Sequence, residues 1–282
     1  MLHWFRIFGS WISVSLIMKI HYITYISQGG DIDKGADLSR LKRPLEDIFS
    51  RYLDRVTIYE SKDVPYEYRK EYDSENYECE ANPGYHNLGF AAFKPYLILK
   101  TLDETDCDVV YWRDANFIKY NTYLNHIPDI RETIEYALSE AGTDIFLPFE
   151  LRKHDIWRKM GMSCPSIMFD SILGGILDCY IEYHEINNGL ILLKNTEYSR
   201  NLVREWLENM SNVDFFSNKK ESRHHNFIKH SSDQSVLNVM LLREMIEGRL
   251  PEGFPFFGFL ERDFHKSTLE KIDNLPHLRS YE

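Results

Sequence analysis

The chain has 282 residues, of which 43% are hydrophobic and 27% charged. That is enough apolar side chain to bury a sizeable core, and it argues against disorder over the whole length. With 44 acidic residues against 33 basic ones and a net charge of −11, the chain lacks the Lys and Arg excess that binding a phosphate backbone draws on, so a nucleic-acid partner is not expected. Four cysteines (Cys79, Cys107, Cys164, Cys179) contain no CxxC pair, which argues against a zinc site or thioredoxin-like chemistry and for buried free thiols.

In chain order, Ile7 to Met18 is an uncharged run, too short for an ordinary spanning helix. Residues 1–18 are expected to be an appended hydrophobic extension able to associate with a membrane, and Met18 is an alternative start. Ile20 to Ile26 predicts a first strand, followed by the loop Ser27-Gln28-Gly29-Gly30. Leu38, Leu41, Leu45, Ile48, Phe49 and Tyr52 recur at helical spacing. Val56 to Tyr59 predicts a second strand, and strand-helix-strand order implies a right-handed crossover in a largely parallel sheet. Residues 61 to 90, rich in Tyr, Glu, Asn and Gly, predict a long functional loop. Its Tyr-rich part, 66–77, is suited to stacking on a base or a sugar. Lys94-Pro95 predicts a helix start with Pro at the first position, running through Leu102.

Residues 108–112 predict the central strand. Pro128-Asp129 opens a helix with Ile130, Ile134 and Leu138 inward, and Asp144 to Pro148 predicts another strand. Residues 150 to 178 predict two short helices. Cys179 to Tyr183 and Gly189 to Leu193 predict a pair of strands around Asn187-Asn188-Gly189. Helices are predicted over Thr196 to Met210 and Ser232 to Met245. No Gly-Ser linker divides the chain, so one domain over 19–282 is the simpler organisation.

The richest stretch is Asp108-Val109-Val110-Tyr111-Trp112-Arg113-Asp114-Ala115-Asn116. In an extended chain residues i and i+2 share a side, so Asp114 and Asn116 can converge on one point. Such oxygens suit a hard cation, Mg2+ or Mn2+, completed by substrate phosphate. The competing reading is a strand cap and turn. Ser231-Ser232-Asp233-Gln234 reads as a helix-capping box. Glu150 and Asp155 fit a charged helix start, or an acceptor-facing pair. Lys219-Lys220-Glu221-Ser222-Arg223-His224-His225 reads as a solvated loop.

Taken together, these stretches from Lys19 to Asn238 resemble glycosyltransferases of the GT-A type, the nucleotide-diphospho-sugar transferases. Tyr22-Ile23-Thr24-Tyr25 is similar to the opening strand whose end receives the nucleotide base. Gly89-Phe90-Ala91-Ala92-Phe93-Lys94-Pro95-Tyr96 is similar to a Lys-Pro-Tyr helix entry. Asp114-Ala115-Asn116 falls where that family carries its Asp-x-Asp metal motif, Asn187-Asn188-Gly189-Leu190-Ile191-Leu192 resembles its sugar-floor strand, and Ser232-Asp233-Gln234-Ser235-Val236-Leu237-Asn238 resembles its Asp-Gln-x-x-Leu-Asn element.

The resemblance implies an α/β GT-A fold with a Rossmann-like, mostly parallel sheet flanked by helices. It implies transfer of a sugar from a nucleotide-sugar donor to a glycan or other hydroxyl acceptor. Metal ligation falls to Asp114, Asn116 and His265, with Mn2+ or Mg2+ as cofactor. Donor binding falls to Thr24, Tyr25, Lys94, Arg113, Asn188, Gly189 and Gln234. Asp233 is the implied catalytic carboxylate, taking the acceptor's proton if the reaction inverts or stabilising the sugar cation if it retains. The implied location is cytoplasmic or peripheral to a membrane. Asn116 departs from the family's second Asp, weakening metal affinity, and Arg113 is unusual there. Both departures keep open a degenerate sugar-binding protein. A nucleotidyltransferase is the other rival, disfavoured because Gly29-Gly30 is followed by Asp31 and Asp33 instead of a basic phosphate loop.

Overall fold

The structure is a computed structural model that describes residues 3–7, 10–14, 18–26, 39–65, 92–115, 130–147, 159–175, 178–183, 185, 186, 188–216, 227 and 233–251. Its strands are β1 (His3–Ile7), β2 (Ser10–Val14), β3 (Ile20–Tyr25), β4 (Arg55–Tyr59), β5 (Val109–Arg113), β6 (Ile145–Phe146) and β7 (Leu190–Lys194). Its helices are α1 (Lys42–Phe49), α2 (Phe93–Glu104), α3 (Ile130–Ala141), α4 (Ser166–Leu173), α5 (Asp178–Ile181), α6 (Glu197–Met210) and α7 (Asp233–Ile246).

β1 and β2 pair antiparallel with each other and not with the central sheet. No helix of the described residues is long and apolar enough to cross a membrane. The central sheet has five strands in the order β4-β3-β5-β7-β6. β3 is parallel to β4 and β5, while β7 is antiparallel to β5 and β6. Four strands therefore share one direction and β7 opposes them. The chain leaves β3 for β4 on one side and returns past it to β5 on the other. The strand order thus reverses between β3 and β5, the place where open α/β sheets form a crevice at the carboxyl edge. The mixed α/β, mostly parallel sheet expected from the sequence is the one observed.

Strands buried on both faces favour apolar residues on both; Val109–Trp112 and Leu190–Leu193 meet that demand, and Ile20–Tyr25 does so apart from the buried His21 and Thr24. Tyr22, Val109, Tyr111 and Leu192 pack against Leu45 and Phe49 of α1 and Ile134 and Leu138 of α3. Ile23, Val110, Trp112, Ile191 and Leu193 face Leu97 of α2, Trp206 of α6 and Met240 of α7. The period of two along each strand divides the core into these two layers.

The amino end of β3 is fixed by charge. The Ile20 amide donates to Asp54 Oδ2 at 2.8 Å, and Arg131 donates to the same oxygen at 2.7 Å and to the Met18 carbonyl at 2.5 Å. The Lys19 amide donates to Asp108 Oδ2 at 2.7 Å. Cys107 and Cys164 are buried free thiols, as expected.

Two expectations are corrected. Residues 179–183 do not pair with 189–193: Asp178–Ile181 is a single helical turn, and Leu190–Lys194 takes β5 and β6 as partners. Short apolar runs do not distinguish strand from helix by periodicity. In addition, α2 starts at Phe93, so Pro95 is its third residue and not its first. Proline is tolerated there because the first four N–H groups of a helix have no partner within it.

The aromatic cluster joining α1 to the sheet gives a stability test. Phe49 is fully buried, its ring stacked on Tyr22 at a centroid distance of 3.8 Å and edge-on to Tyr111 at 6.0 Å. Phe49→Ala is expected to lower unfolding free energy by about 3–5 kcal/mol. Urea titration followed by circular dichroism checks it, and a loss below about 1 kcal/mol would show that α1 is not packed as described.

Candidate functional site

Four elements converge at the carboxyl edge of the sheet. β5 ends at Arg113, and the Asp114 amide extends its ladder by donating to the Gly189 carbonyl at 2.9 Å. Because β7 runs backwards, its entry residues Asn188 and Gly189 lie at the same edge as the exit of β5. α2 and α7 both begin here, so Lys94 and Asp233 sit in the first turns of their helices. A carboxylate in a first turn is also favoured by the helix dipole.

Lys94 Nζ lies 3.1 Å from Asp114 Oδ1 and 3.2 Å from Asp233 Oδ2, and donates to the Asn188 carbonyl at 3.2 Å. It also sits 5.7 Å from the centroid of the Trp112 ring, within reach of a cation–π attraction. The Asn188 carboxamide donates to Asp233 Oδ2. The Trp112 indole donates to Asp114 Oδ1 at 2.8 Å. The Trp206 indole donates to the Asp233 carbonyl at 3.1 Å.

The Lys94 and Asp233 side chains are only 5% and 8% exposed, whereas Asp114 is 36% exposed. Burial works against the Lys94 ammonium, but Asp114 and Asp233 outweigh it and hold its pKa above the ordinary value. Burial pushes Asp233 up to about 6, against the opposing pull of Lys94 and the Asn188 hydrogen bond and with Asp114 adding to the rise. One ammonium is thus shared by two carboxylates, of which Asp114 is the more exposed. The contacts to Lys94, Trp112 and Asn188 fall on Asp114 Oδ1 and Asp233 Oδ2.

Of the residues singled out in the sequence, Lys94, Asp114, Asn188, Gly189 and Asp233 are brought together. Tyr25 is adjacent, its ring 4.5 Å from that of Phe93 beside Lys94. Thr24 is fully buried and alternates to the other face of β3. Arg113 likewise alternates away from Trp112 and Asp114, toward the face that carries Tyr22 and Tyr111. Gln234 follows Asp233 in α7, and its carbonyl accepts from Asn238 at 2.7 Å. Asn116, His265, Glu150, Asp155, the loop 66–77, the basic cluster 219–225 and the cap residues Ser231 and Ser232 lie outside the described residues.

The two indole donors were not read from the sequence. Trp112 could have been found, because it precedes Asp114 by two residues on the same side of the strand. Trp206 lies 27 positions from Asp233 with no local signal.

Among the described residues no group of three His, Cys, Asp or Glu side chains could hold a metal ion. The donor set is nonetheless compatible with a cation shared with a ligand. Asp114 is a partly exposed carboxylate at the strand end, and Mg2+ is commonly held by one or two carboxylates together with substrate phosphates.

No family model matches the chain, and no curated protein matches it. Among solved structures, one similar chain is the galactosyltransferase LgtC in complex with donor and acceptor sugar analogues. It shows 13% identity over 78% of this chain and 70% of that chain, with a TM-score of 0.32. At that score the likeness fixes neither fold nor function.

The elevated Asp233 value has a thermodynamic consequence. The folded chain keeps this proton up to about pH 6, while an unfolded Asp releases it near about pH 4. Between those values the native state binds more protons, so the Asp233 contribution to stability falls as pH rises. Relative to Asp233→Asn, the native chain is expected to lose up to about 3 kcal/mol between about pH 4 and pH 7. Denaturant unfolding of both proteins across that range measures it, and a pH-independent difference would overturn the burial argument.

Proposed function

We propose that the chain is a glycosyltransferase that moves a sugar from a nucleotide-diphosphate donor to a hydroxyl acceptor. The observation that carries this reading is the convergence of Lys94, Asp114, Asn188 and Asp233 at the carboxyl edge of a mostly parallel sheet. That edge, beside the β3/β5 reversal, is where such sheets bind nucleotides. The same residues were selected from sequence alone by resemblance to GT-A enzymes.

Each group then has a task. Asp114 has Oδ1 oriented by the Trp112 indole and Lys94, and its carboxylate would meet the ligand. Asn116 and His265 complete the donor side, so Asp114, Asn116 and His265 would hold a divalent cation. When bound, that cation neutralises charge on the departing diphosphate. Asp233 keeps Oδ2 on Lys94 and Asn188 and turns Oδ1 to a substrate hydroxyl. With its pKa near about 6, it is poised to accept that hydroxyl's proton near neutral pH. Lys94 holds the two carboxylates apart from each other's repulsion and fixes the Asn188 carbonyl. Tyr25 and Phe93 are buried beside it, their rings in contact, and back the site from the core. Residues 1–18 supply association with a membrane surface.

Thermal-shift measurement with a panel of nucleotide sugars, with and without Mn2+, identifies the donor. A true donor at about a hundred times its Kd should add about 2.7 kcal/mol of stability. The true donor should also be hydrolysed slowly to free sugar. Asp114→Ala should abolish that release while leaving the circular dichroism spectrum unchanged. Release that continues undiminished in Asp114→Ala, or in the presence of EDTA, would overturn the assignment.

A further inference from the structure

Asn238 belongs to α7 and is 1% exposed, yet it touches none of the charged groups of the site. Its carboxamide is fully engaged. Oδ1 accepts from the Ile186 amide at 2.7 Å, and Nδ2 donates to the Ile186 carbonyl at 3.1 Å and to the Gln234 carbonyl at 2.7 Å. The side chain therefore treats Ile186 as a neighbouring strand would, satisfying both backbone groups of one residue. An amide is the side chain with both a donor and an acceptor at that spacing.

Ile186 is two residues before Asn188. Asn188 must deliver two groups in opposite roles, its carbonyl to Lys94 and its carboxamide to Asp233. Asp233 stands on the same helix as Asn238. The helix thus grips the chain at Ile186 and presents a carboxylate to it at Asn188. Ile186 is held two residues before Asn188, whose carboxamide is bonded to Asp233.

We infer that Asn238 is a positioning residue. By clamping the Ile186 backbone to α7, it holds Asn188 against Asp233 and Lys94 and so preorganises the donor-sugar side of the site. The clamp is a structural claim, and its effect on donor binding rests on the glycosyltransferase reading above. Preorganisation of this kind lowers the ordering cost of binding.

The test has two arms on the full chain. In 15N-labelled protein, the Asn188 carboxamide pair is identified as the resonance lost in Asn188→Ala. It is expected to move in Asn238→Ala to the position it takes in Asp233→Ala. It is expected to stay in Tyr198→Phe, which removes the 3.0 Å bond from Tyr198 to Glu244 at the far end of α7. If Asn238→Ala does not fold, Asn238→Asp keeps the acceptor for the Ile186 amide and loses the donor, and a partial displacement is expected.

In the second arm, calorimetry with Mn2+ and the nucleotide sugar that gives the largest thermal shift in the panel above should show about tenfold weaker binding in Asn188→Ala and in Asn238→Ala, with the double variant no weaker than either. An unmoved Asn188 pair in a folded Asn238 variant, equal movement in Tyr198→Phe, or additive losses in the double variant would each overturn the clamp. If the native chain binds no nucleotide sugar of that panel, the transferase reading falls, and the resonance arm still decides the clamp.

Discussion

The arrangement depends on one buried cation. An ammonium removed from water is costly unless it is paired and hydrogen-bonded. Lys94 meets that requirement with carboxylates from β5's exit and from α7, a carbonyl from the entry to β7, and the face of Trp112. The contacts come from three segments, β5 with its exit, the entry to β7 and the start of α7, so with α2 itself the charge cross-links four pieces of chain far apart in sequence. The dependence is mutual. Without Lys94, two carboxylates would share a small volume with only indole and amide donors between them.

The sheet's geometry makes that convergence available. In a fully parallel sheet, the start of β7 would lie at the opposite edge from the end of β5. Reversing this one strand brings Asn188 and Gly189 to the exit of β5, and the Asp114–Gly189 hydrogen bond closes the gap. α2 crosses past β3 on its way to β5, which places its first turn, and Lys94, beside the reversal of strand order. The site is thus a consequence of connectivity: two helix starts, one strand end and one strand beginning meet at one edge.

Much of this could be read from the residues. Alternation and β-branching marked β3, β4 and β5, and helical spacing marked α1, α3, α6 and α7. Lys94, Asp114, Asn188 and Asp233 were each named from a short motif. Local pattern could not supply the pairing of β7 with β5 and β6, because the register Val109↔Lys194 joins residues 85 apart. The Asn-Gly pair at 188 and 189 carried a hairpin signature strong enough to imply a strand before it, yet Asp178–Ile181 is helical. There the tertiary demand of β5 for a partner overrode the local turn preference. The buried partners Trp206 and Asn238 act across the core on backbone atoms, and no sequence spacing announces such contacts.

The junction ahead of β3 has a mechanical side. Met18, Lys19 and Ile20 are held by Arg131, Asp108 and Asp54, from the helix and loops flanking the sheet's amino edge. The β1–β2 ribbon lies upstream of this three-point staple. A tug or a docking event on the ribbon would be absorbed at Met18–Ile20, some six residues before the carboxyl end of β3. The leading segment can be engaged by another surface while the carboxyl edge stays in register, like a tether knotted before it reaches the load.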